Sequence, residues 1–183
     1  MINILLINFG CKLGMFKLLI KNNYFIYEFE KKINICLLLK LNGVFISNGP
    51  GAPKTYLKYF NIILFFVYIK IPILSICLGH QIISIINMFS IFKLKNGHHG
   101  VNHPIYNINK KKLYLTSQNH NFNIKKNNYF NYSNLFFSLF DNTLQNINSE
   151  IQPLICFQGH PEGCPGPNDL INIFKYYKNI YEQ

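Results

Sequence analysis

The chain has 183 residues with a formal net charge of +11, and 49% of its residues are hydrophobic. This length fits one domain over residues 1–183, and the apolar share excludes a disordered, collagenous or coiled-coil protein. All 18 cationic residues are Lys, and Lys, Asn, Ile, Phe and Tyr together make up more than half of the chain. We attribute the charge to a bias towards AT-rich codons. We expect no nucleic-acid partner, because Arg is absent and the lysines form only short runs.

The cysteines and the longest apolar run indicate the cellular location. The five cysteines are odd in number and none is spaced as Cys-x-x-Cys, which favours a reducing compartment over a disulfide framework. The most apolar stretch, residues 62–69, is less than half as long as a membrane span. Residues 1–7 are apolar without a basic leader, which is typical of a first strand. We therefore expect a cytoplasmic protein with no membrane contact.

Short apolar runs alternate with segments of helical length in the first half of the chain. The predicted strands are residues 3–8, 24–29, 43–47 and 71–76. The predicted helices are residues 15–21, 33–40, 55–69 and 78–87. This alternation predicts a parallel sheet with helices on both faces.

Strand-like segments follow one another without intervening helices from Ile91 onward. They are residues 91–95, 113–117, 129–135, 143–148 and 151–158. The first four predict a mixed or antiparallel extension, and the fifth predicts a last strand. A closing amphipathic helix is expected over residues 169–181, with Asn168 or Asp169 as its N-cap.

A cysteine lies between a predicted strand and a predicted helix, at the strand end where ligands of a parallel sheet bind. Ser75 and Gly79 stand two residues before and after Cys77. This pattern predicts a nucleophile elbow, a sharp turn that lifts the side chain clear of the sheet. The following helix places its positive end at the sulfur, which favours the thiolate.

Two further segments that follow predicted strands can complete such a site. A thiol nucleophile needs a base, and the base needs an orienting group. His160 and Glu162 stand two residues apart around Pro161, so both side chains can project to the same side. The turn over residues 47–53 exposes backbone amides that can hold an oxyanion together with the amide of Leu78.

These segments together resemble a known family. They are SNGPG at 47–51, ICLGHQ at 76–81, GHHGVNHP at 97–104, QNHNF at 118–122 and QGHPEGCPGPND at 158–169. The chain is similar over essentially its whole length to the glutaminase domain of carbamoyl-phosphate synthetase small chains, a class I glutamine amidotransferase. The resemblance implies a three-layer, flavodoxin-like α/β fold, with a mixed, mostly parallel sheet and helices on both faces.

The resemblance also implies an enzymatic mechanism. Cys77, His160 and Glu162 would form a triad that hydrolyses glutamine through a cysteine thioester, with the amides of Gly51 and Leu78 holding the oxyanion. The glutamine site would consist of Gly49, Gly51, Leu78, Gln81, Asn119, Asn121 and Phe122. The ammonia would pass to a large synthetase chain that carries ATP and Mg²⁺, so no cofactor is expected on this chain. The product would be carbamoyl phosphate, which would serve arginine biosynthesis, pyrimidine biosynthesis or both.

The chain departs from the family pattern at three points. Ser75 stands where the family usually has Gly, which puts a modest steric load on the elbow. Asn121 also replaces a usual Gly, and the tolerance of Asn for left-handed backbone would preserve the local shape. Family small chains carry an N-terminal domain that contacts the large chain, and we expect this sequence to lack it.

Two other functions stay open beside this one. The glutaminase subunit of an anthranilate or aminodeoxychorismate synthase shares the triad but usually has Ser after His-Pro-Glu, where this chain has Gly163. A catalytically decayed glutaminase that serves as a scaffold is the other alternative. The survival of all three triad residues favours an enzyme over a scaffold.

Three histidines outside the triad lie close together in the sequence, a pattern that can indicate a metal site. We do not expect a metal site here. His98, His99 and His103 lie close together, but the Gly and Pro residues among them disfavour a helix, and no Cys is near. We expect His98 and His99 to shape a loop by hydrogen bonds. For His80 and His120 a packing or loop role is expected.

Overall fold

The computed structural model describes residues 1–29, 33–126, 134–149 and 151–180. The elements in chain order are β1 (Ile2–Ile7), α1 (Leu13–Lys21), β2 (Tyr24–Glu28), α2 (Ile35–Leu38), β3 (Gly43–Ile46), α3 (Phe60–Tyr68), β4 (Ile73–Ile76), α4 (Leu78–Ile86), β5 (Ile91–Asn107), β6 (Lys112–Ile124), β7 (Phe136–Ser138), β8 (Leu154–Phe157) and α5 (Ile173–Asn179). Within these residues a parallel sheet has the strand order β2-β1-β3-β4-β8, and an antiparallel sheet has the order β6-β5-β7.

The parallel sheet buries both of its faces, because successive side chains of a strand point to opposite sides. Ile4 and Leu6 of β1 pack in one apolar layer with buried side chains of α1 and α5. Leu5 and Ile7 of the same strand pack in the other layer with α3 and α4. The arrangement is helix, sheet, helix, which confirms the predicted three-layer α/β fold.

A long hairpin of β5 and β6 forms most of the second sheet. The predicted strands at 91–95 and 113–117 lie within it but are too short, because the polar segment around His98 also pairs, with His98 opposite His120. The pairing shifts register between Lys93 and His98 and again between Gly100 and His103. The polar motifs of both strands therefore lie on paired backbone, where their side chains have fixed directions.

The predicted helices are correct in place, and several are shorter in the structure. α2 covers only Ile35–Leu38 of the predicted 33–40. The predicted helix 55–69 begins as a 3-10 helix over Pro53–Tyr59 and becomes α3 at Phe60. None of the helices in the described ranges has the length and apolar character that a bilayer crossing requires.

The closing helix begins later than predicted and has a different cap. Of the predicted span 169–181, residue 181 lies outside the described residues and α5 begins at Ile173. Asp169 is not the N-cap, because its Oδ2 accepts a hydrogen bond from the backbone N–H of Leu115 at 2.9 Å. Asn168 is not the cap either, since Asn172 occupies that position without a side-chain hydrogen bond to the helix.

Two predicted strands of the extension have different outcomes. Residues 129–133 of the predicted strand 129–135 lie outside the described residues, and β7 begins just after it at Phe136. The predicted strand 143–148 is not continuous, and Leu144 and Asn146 form isolated bridges instead. Asn146 explains part of this, because its side-chain Oδ1 accepts the backbone N–H of Phe136 at 2.8 Å.

Candidate active site

The polar segments that follow β3, β4 and β8 meet at the carboxyl ends of these neighbouring strands. They begin at Ser47, Cys77 and Gln158, each of them buried. The backbone N–H of Cys77 donates to the carbonyl of Phe157, the last residue of β8, at 2.8 Å, which joins the segment after β4 to the end of β8. This edge is where open α/β sheets bind their ligands.

Cys77 adopts the strained backbone that the elbow pattern predicts. Its φ of 53° and ψ of −102° lie outside the common regions for a residue with a side chain, and it precedes the first turn of α4. Gly79 is required for the close packing of this turn, because a Cβ there would lie 2.4 Å from the carbonyl oxygen of Ile46. Ser75 is fully buried in β4, in register with Cys156, and the turn closes with its side chain in place.

His160 and Glu162 lie together on the segment after β8. The Nδ1 atom of His160 is 2.9 Å from Oε1 of Glu162, and both residues are buried. The backbone N–H of His160 donates to the carbonyl of Ser117 on β6 at 2.8 Å, which fixes the position of the ring. Cys77 lies close enough to raise the pKa of His160, so the three predicted triad residues lie together at this edge of the sheet.

Electrostatics favour a charged imidazole beside a charged carboxylate. Burial opposes protonation of His160, but the proximity of Cys77 and the hydrogen bond and charge of Glu162 outweigh burial and raise its pKa to about 9. Burial also opposes ionisation of Glu162, yet the hydrogen bond and charge of His160 hold the pKa of this carboxyl below its usual value, with help from Lys12. The site therefore keeps a proton on His160, next to the sulfur.

Two residues at this site had no role in the sequence prediction. The Nζ atom of Lys12 is 3.2 Å from Oε1 of Glu162, the same oxygen that faces His160. The Nε2 atom of Gln158 donates to Sγ of Cys77 at 3.7 Å. Both could have been suspected from their positions, because Lys12 lies in the segment that follows β1 and Gln158 directly follows β8.

The loop after β3 is fastened to the loop after β1. The Oγ atom of Ser47 accepts the backbone N–H of Phe9 at 2.9 Å, and Oδ1 of Asn48 accepts the backbone N–H of Lys12 at 3.2 Å. A Cβ on Gly49 would lie 2.5 Å from the carbonyl oxygen of Phe9. Only glycine allows this close contact, which explains the residue at position 49.

The predicted oxyanion donors have backbone geometry suited to that role. Gly51 has a φ of +82°, a conformation that glycine adopts readily. Leu78 is the first residue of α4, so its N–H has no partner within the helix and lies at the positive end of the helix dipole. Leu78 is also buried at 2% exposure, which limits competition from water.

The remaining predicted site residues lie on α4 and β6. The Nε2 atom of Gln81 donates to the carbonyl of Phe122 at 2.8 Å, which ties the elbow helix to this strand. The side chains of Asn119 and Asn121 flank His99, whose Nδ1 is 2.9 Å from Oδ1 of Asn119 and whose Nε2 is 3.0 Å from Oδ1 of Asn121. The structure thus groups these two asparagines around a histidine on β5.

Two local predictions for this hairpin are wrong. Asn121 lies in β6 and is not left-handed; the positive φ of this region belongs to Gly97, at +63°. His98 and His99 lie on β5 rather than in a loop, and Nε2 of His98 is 2.8 Å from Oδ2 of Asp141. Strand pairing explains both outcomes, because it holds the two motifs in extended backbone.

Four histidines outside the triad form a buried group, with three of them on β5 and β6 and one on α4: His98, His103, His120 and His80. The ring of His98 lies 4.4 Å from that of His103 and 4.8 Å from that of His120. Burial lowers the pKa of His103 to about 4 and those of His80 and His120 to about 3, so these rings are neutral at pH 7. Across the described ranges, no group of three or more His, Cys, Asp or Glu side chains could hold a metal ion.

Comparison with known proteins agrees with this geometry. The chain is 40% identical to the carbamoyl phosphate synthase small chain of Wigglesworthia glossinidia brevipalpis, over 96% of this chain and 44% of that protein. It is 36% identical to the carbamoyl phosphate synthase small chain of Buchnera aphidicola, over 99% of this chain and 48% of that protein. The chain therefore spans about half the length of these curated relatives.

The fold and the family are both shown by similarity. A solved glutamine amidotransferase from Thermotoga maritima matches 99% of this chain and 84% of its own, with a TM-score of 0.72 and 19% identity, which supports the flavodoxin-like fold. The family described as glutamine amidotransferase class-I matches residues 5–180. Because this match covers nearly the whole chain, the chain belongs to the class-I glutamine amidotransferase family.

Proposed function

We propose that this chain hydrolyses L-glutamine and supplies the ammonia to a carbamoyl-phosphate synthase. The observation that carries the proposal is that Cys77, on a strained elbow, lies beside the hydrogen-bonded pair His160 and Glu162. The identity of 40% and 36% to two carbamoyl phosphate synthase small chains supports this branch of the family. Gly163 after His-Pro-Glu agrees with the same branch.

Cys77 is the proposed nucleophile. Its sulfur attacks the side-chain carbonyl carbon of glutamine and forms a C–S bond, and the carbonyl oxygen becomes an oxyanion held by the amides of Gly51 and Leu78. The proton of the Cys77 thiol has first moved to His160; when the C–N bond breaks, His160 gives this proton to the leaving nitrogen, and ammonia departs. A pKa of about 9 makes His160 a competent donor for this step at neutral pH.

The thioester that remains is hydrolysed through the same residues. A water molecule transfers one proton to His160 while its oxygen attacks the thioester carbonyl, and the C–S bond breaks to release glutamate. Glu162 keeps the ring oriented through Nδ1 throughout, so the other nitrogen faces the sulfur.

The glutamine substrate is proposed to bind between the loop after β3, the start of α4 and β6. Gly49, Gly51 and Leu78 would contact the reacting amide, and Gln81 and Phe122 would form the wall beside it. Asn119 and Asn121 would meet the charged α-amino and α-carboxylate end of glutamine, because both side chains are polar and exposed. The contact between Gln81 and the Phe122 carbonyl supports a single site built from both elements.

A large synthetase chain is the proposed partner, and ATP and Mg²⁺ would bind there. Free ammonia is mostly protonated in neutral water and is then not a nucleophile, so direct transfer between two chains is chemically favoured. The experiment is a glutamine hydrolysis assay on this chain alone and with a bacterial carbamoyl-phosphate synthase large chain, which is expected to accelerate glutamate release. The same assay with an anthranilate synthase large chain is the matched control.

The assay separates the alternatives. Acceleration only by the anthranilate synthase chain would assign the protein to that branch and overturn the proposed partner. Absence of hydrolysis in every mixture, in a chain shown to be folded by circular dichroism, would favour the scaffold.

A further inference from the structure

Gln158 is a fully buried polar residue that the proposed mechanism does not use. It follows β8 directly, and its backbone N–H donates to the carbonyl of Gln145 at 2.8 Å. Its side chain lies between two groups of the site. Nε2 donates to Sγ of Cys77 at 3.7 Å, and Oε1 accepts from Nε2 of Gln81 at 3.1 Å.

The orientation of this amide follows from the partners further along. The carbonyl oxygen of Phe122 can only accept, so the atom of Gln81 that lies 2.8 Å from it must be the NH₂ group. That NH₂ group donates its second hydrogen to Gln158, so the atom of Gln158 that faces it must be the oxygen. The NH₂ group of Gln158 is then the end that faces the sulfur.

We propose that Gln158 donates a hydrogen bond to the reacting sulfur of Cys77 and ties that sulfur to the wall of the glutamine site. The inference rests on the proposed role of Cys77 as nucleophile. A hydrogen bond to an anionic acceptor is about twice as strong as one between neutral groups, so the donor favours the sulfur anion over the thiol. It also limits rotation of the Cys77 side chain, because the sulfur is held by the amide of the buried Gln158.

The same contacts give a route from substrate binding to reactivity. Gln81 bonds both the Phe122 carbonyl and Gln158, so a shift of β6 at Phe122 moves the donor that faces the sulfur. Gln158 is therefore expected to affect the rate of thioester formation more than the affinity for glutamine.

Alkylation of Cys77 by iodoacetamide measures this directly on the full chain. The sulfur forms a bond to carbon and iodide leaves, so the rate reports the reactive sulfur anion. Gln158→Met removes the donor at similar side-chain length, and we expect alkylation of Cys77 at pH 6 to slow about five- to tenfold. Peptide mass spectrometry resolves Cys77 from the other cysteines.

Two controls accompany this variant. Gln145→Met replaces a glutamine that is also fully buried and whose side chain bonds Gln118 and Thr143, and it should leave the alkylation profile of Cys77 unchanged. The exposed Cys36 is an internal reference, because its alkylation rate should be equal in every variant. Glutamine hydrolysis on the same samples should show kcat reduced about fivefold or more by Gln158→Met, with a smaller change in KM.

The results that would overturn this inference differ from those that would overturn the proposed function. An unchanged alkylation profile in folded Gln158→Met protein would overturn the inference even if glutamine hydrolysis were intact in the wild type. A wild type that is inert towards glutamine would overturn the proposed function, while the alkylation comparison would still decide the hydrogen bond. If Gln158→Met does not fold, Gln158→Glu keeps the side-chain length and the oxygen that faces Gln81. A carboxylate facing the sulfur must then slow alkylation, and an unchanged rate would overturn the inference.

Discussion

His80 offers a test of the buried histidine group that does not depend on enzyme activity. It lies on α4 with no exposed surface, and neither ring nitrogen has a hydrogen-bond partner within the described part of the chain. Burial lowers its pKa from 6.5 to about 3. The folded protein therefore holds this ring neutral under conditions in which the unfolded chain would bind a proton.

The sign and size of the effect follow from this difference. Between pH 6.5 and about 3 the unfolded state binds one proton more at this residue, so stability is complete above pH 6.5 and falls as the pH decreases. The slope approaches about 1.4 kcal/mol per pH unit in this window. From pH 7.5 to 5.5, His80 alone should lower the free energy of unfolding by about 1.4 kcal/mol.

The assay compares wild type with His80→Leu in urea at pH 7.5 and 5.5. The variant should lose about 1.4 kcal/mol less of its free energy of unfolding than the wild type over this interval. His103 and His120 also have lowered pKa values and destabilise both proteins in the same way, so their effect cancels in the difference. At pH 7.5 the variant should be at least as stable as the wild type, because two unpaired buried nitrogens are removed. Equal pH dependence in both proteins would refute the reasoning.

Further predictions concern backbone packing and the charge on Glu162. Gly79→Ala places a Cβ 2.4 Å from the Ile46 carbonyl oxygen and should cost about 3 kcal/mol in urea unfolding. Gly100→Ala meets nothing within 4 Å and should change stability little, and equal losses in the two variants would contradict the packing argument. Lys12→Met removes a cation 3.2 Å from Oε1 of Glu162, so this carboxylate should protonate more readily. The acid limb of kcat/KM for glutamine should then move to higher pH, and an unchanged limb would count against this ion pair.

The layout of the parallel sheet was predictable because its signals are local. Alternating apolar runs mark each strand, and each of the three polar segments follows a strand whose end lies at the same edge of the sheet. The elbow was predictable for a similar reason, since Cys77 and Gly79 satisfy a short-range steric requirement.

The hairpin of β5 and β6 was harder to predict, because polar residues occupy paired strands. Asn119, Asn121 and His99 belong together only through cross-strand pairing, which sequence spacing does not reveal. The contacts of Lys12 with Glu162 and of Gln158 with Cys77 join residues far apart in the chain. Such contacts depend on how the loops fold over the sheet edge, and no periodic pattern encodes them.

The central claim is that the sulfur of Cys77 attacks the side-chain amide of glutamine and displaces ammonia. Detection of the thioester tests this claim most directly. Wild type and Cys77→Ser should be mixed with glutamine and a carbamoyl-phosphate synthase large chain, quenched in acid, and analysed by mass spectrometry together with glutamate release. We predict glutamate release and a glutamyl adduct on Cys77 in the wild type, and neither in Cys77→Ser. Equal glutamate release by the two proteins, or an adduct on another residue, would contradict the account.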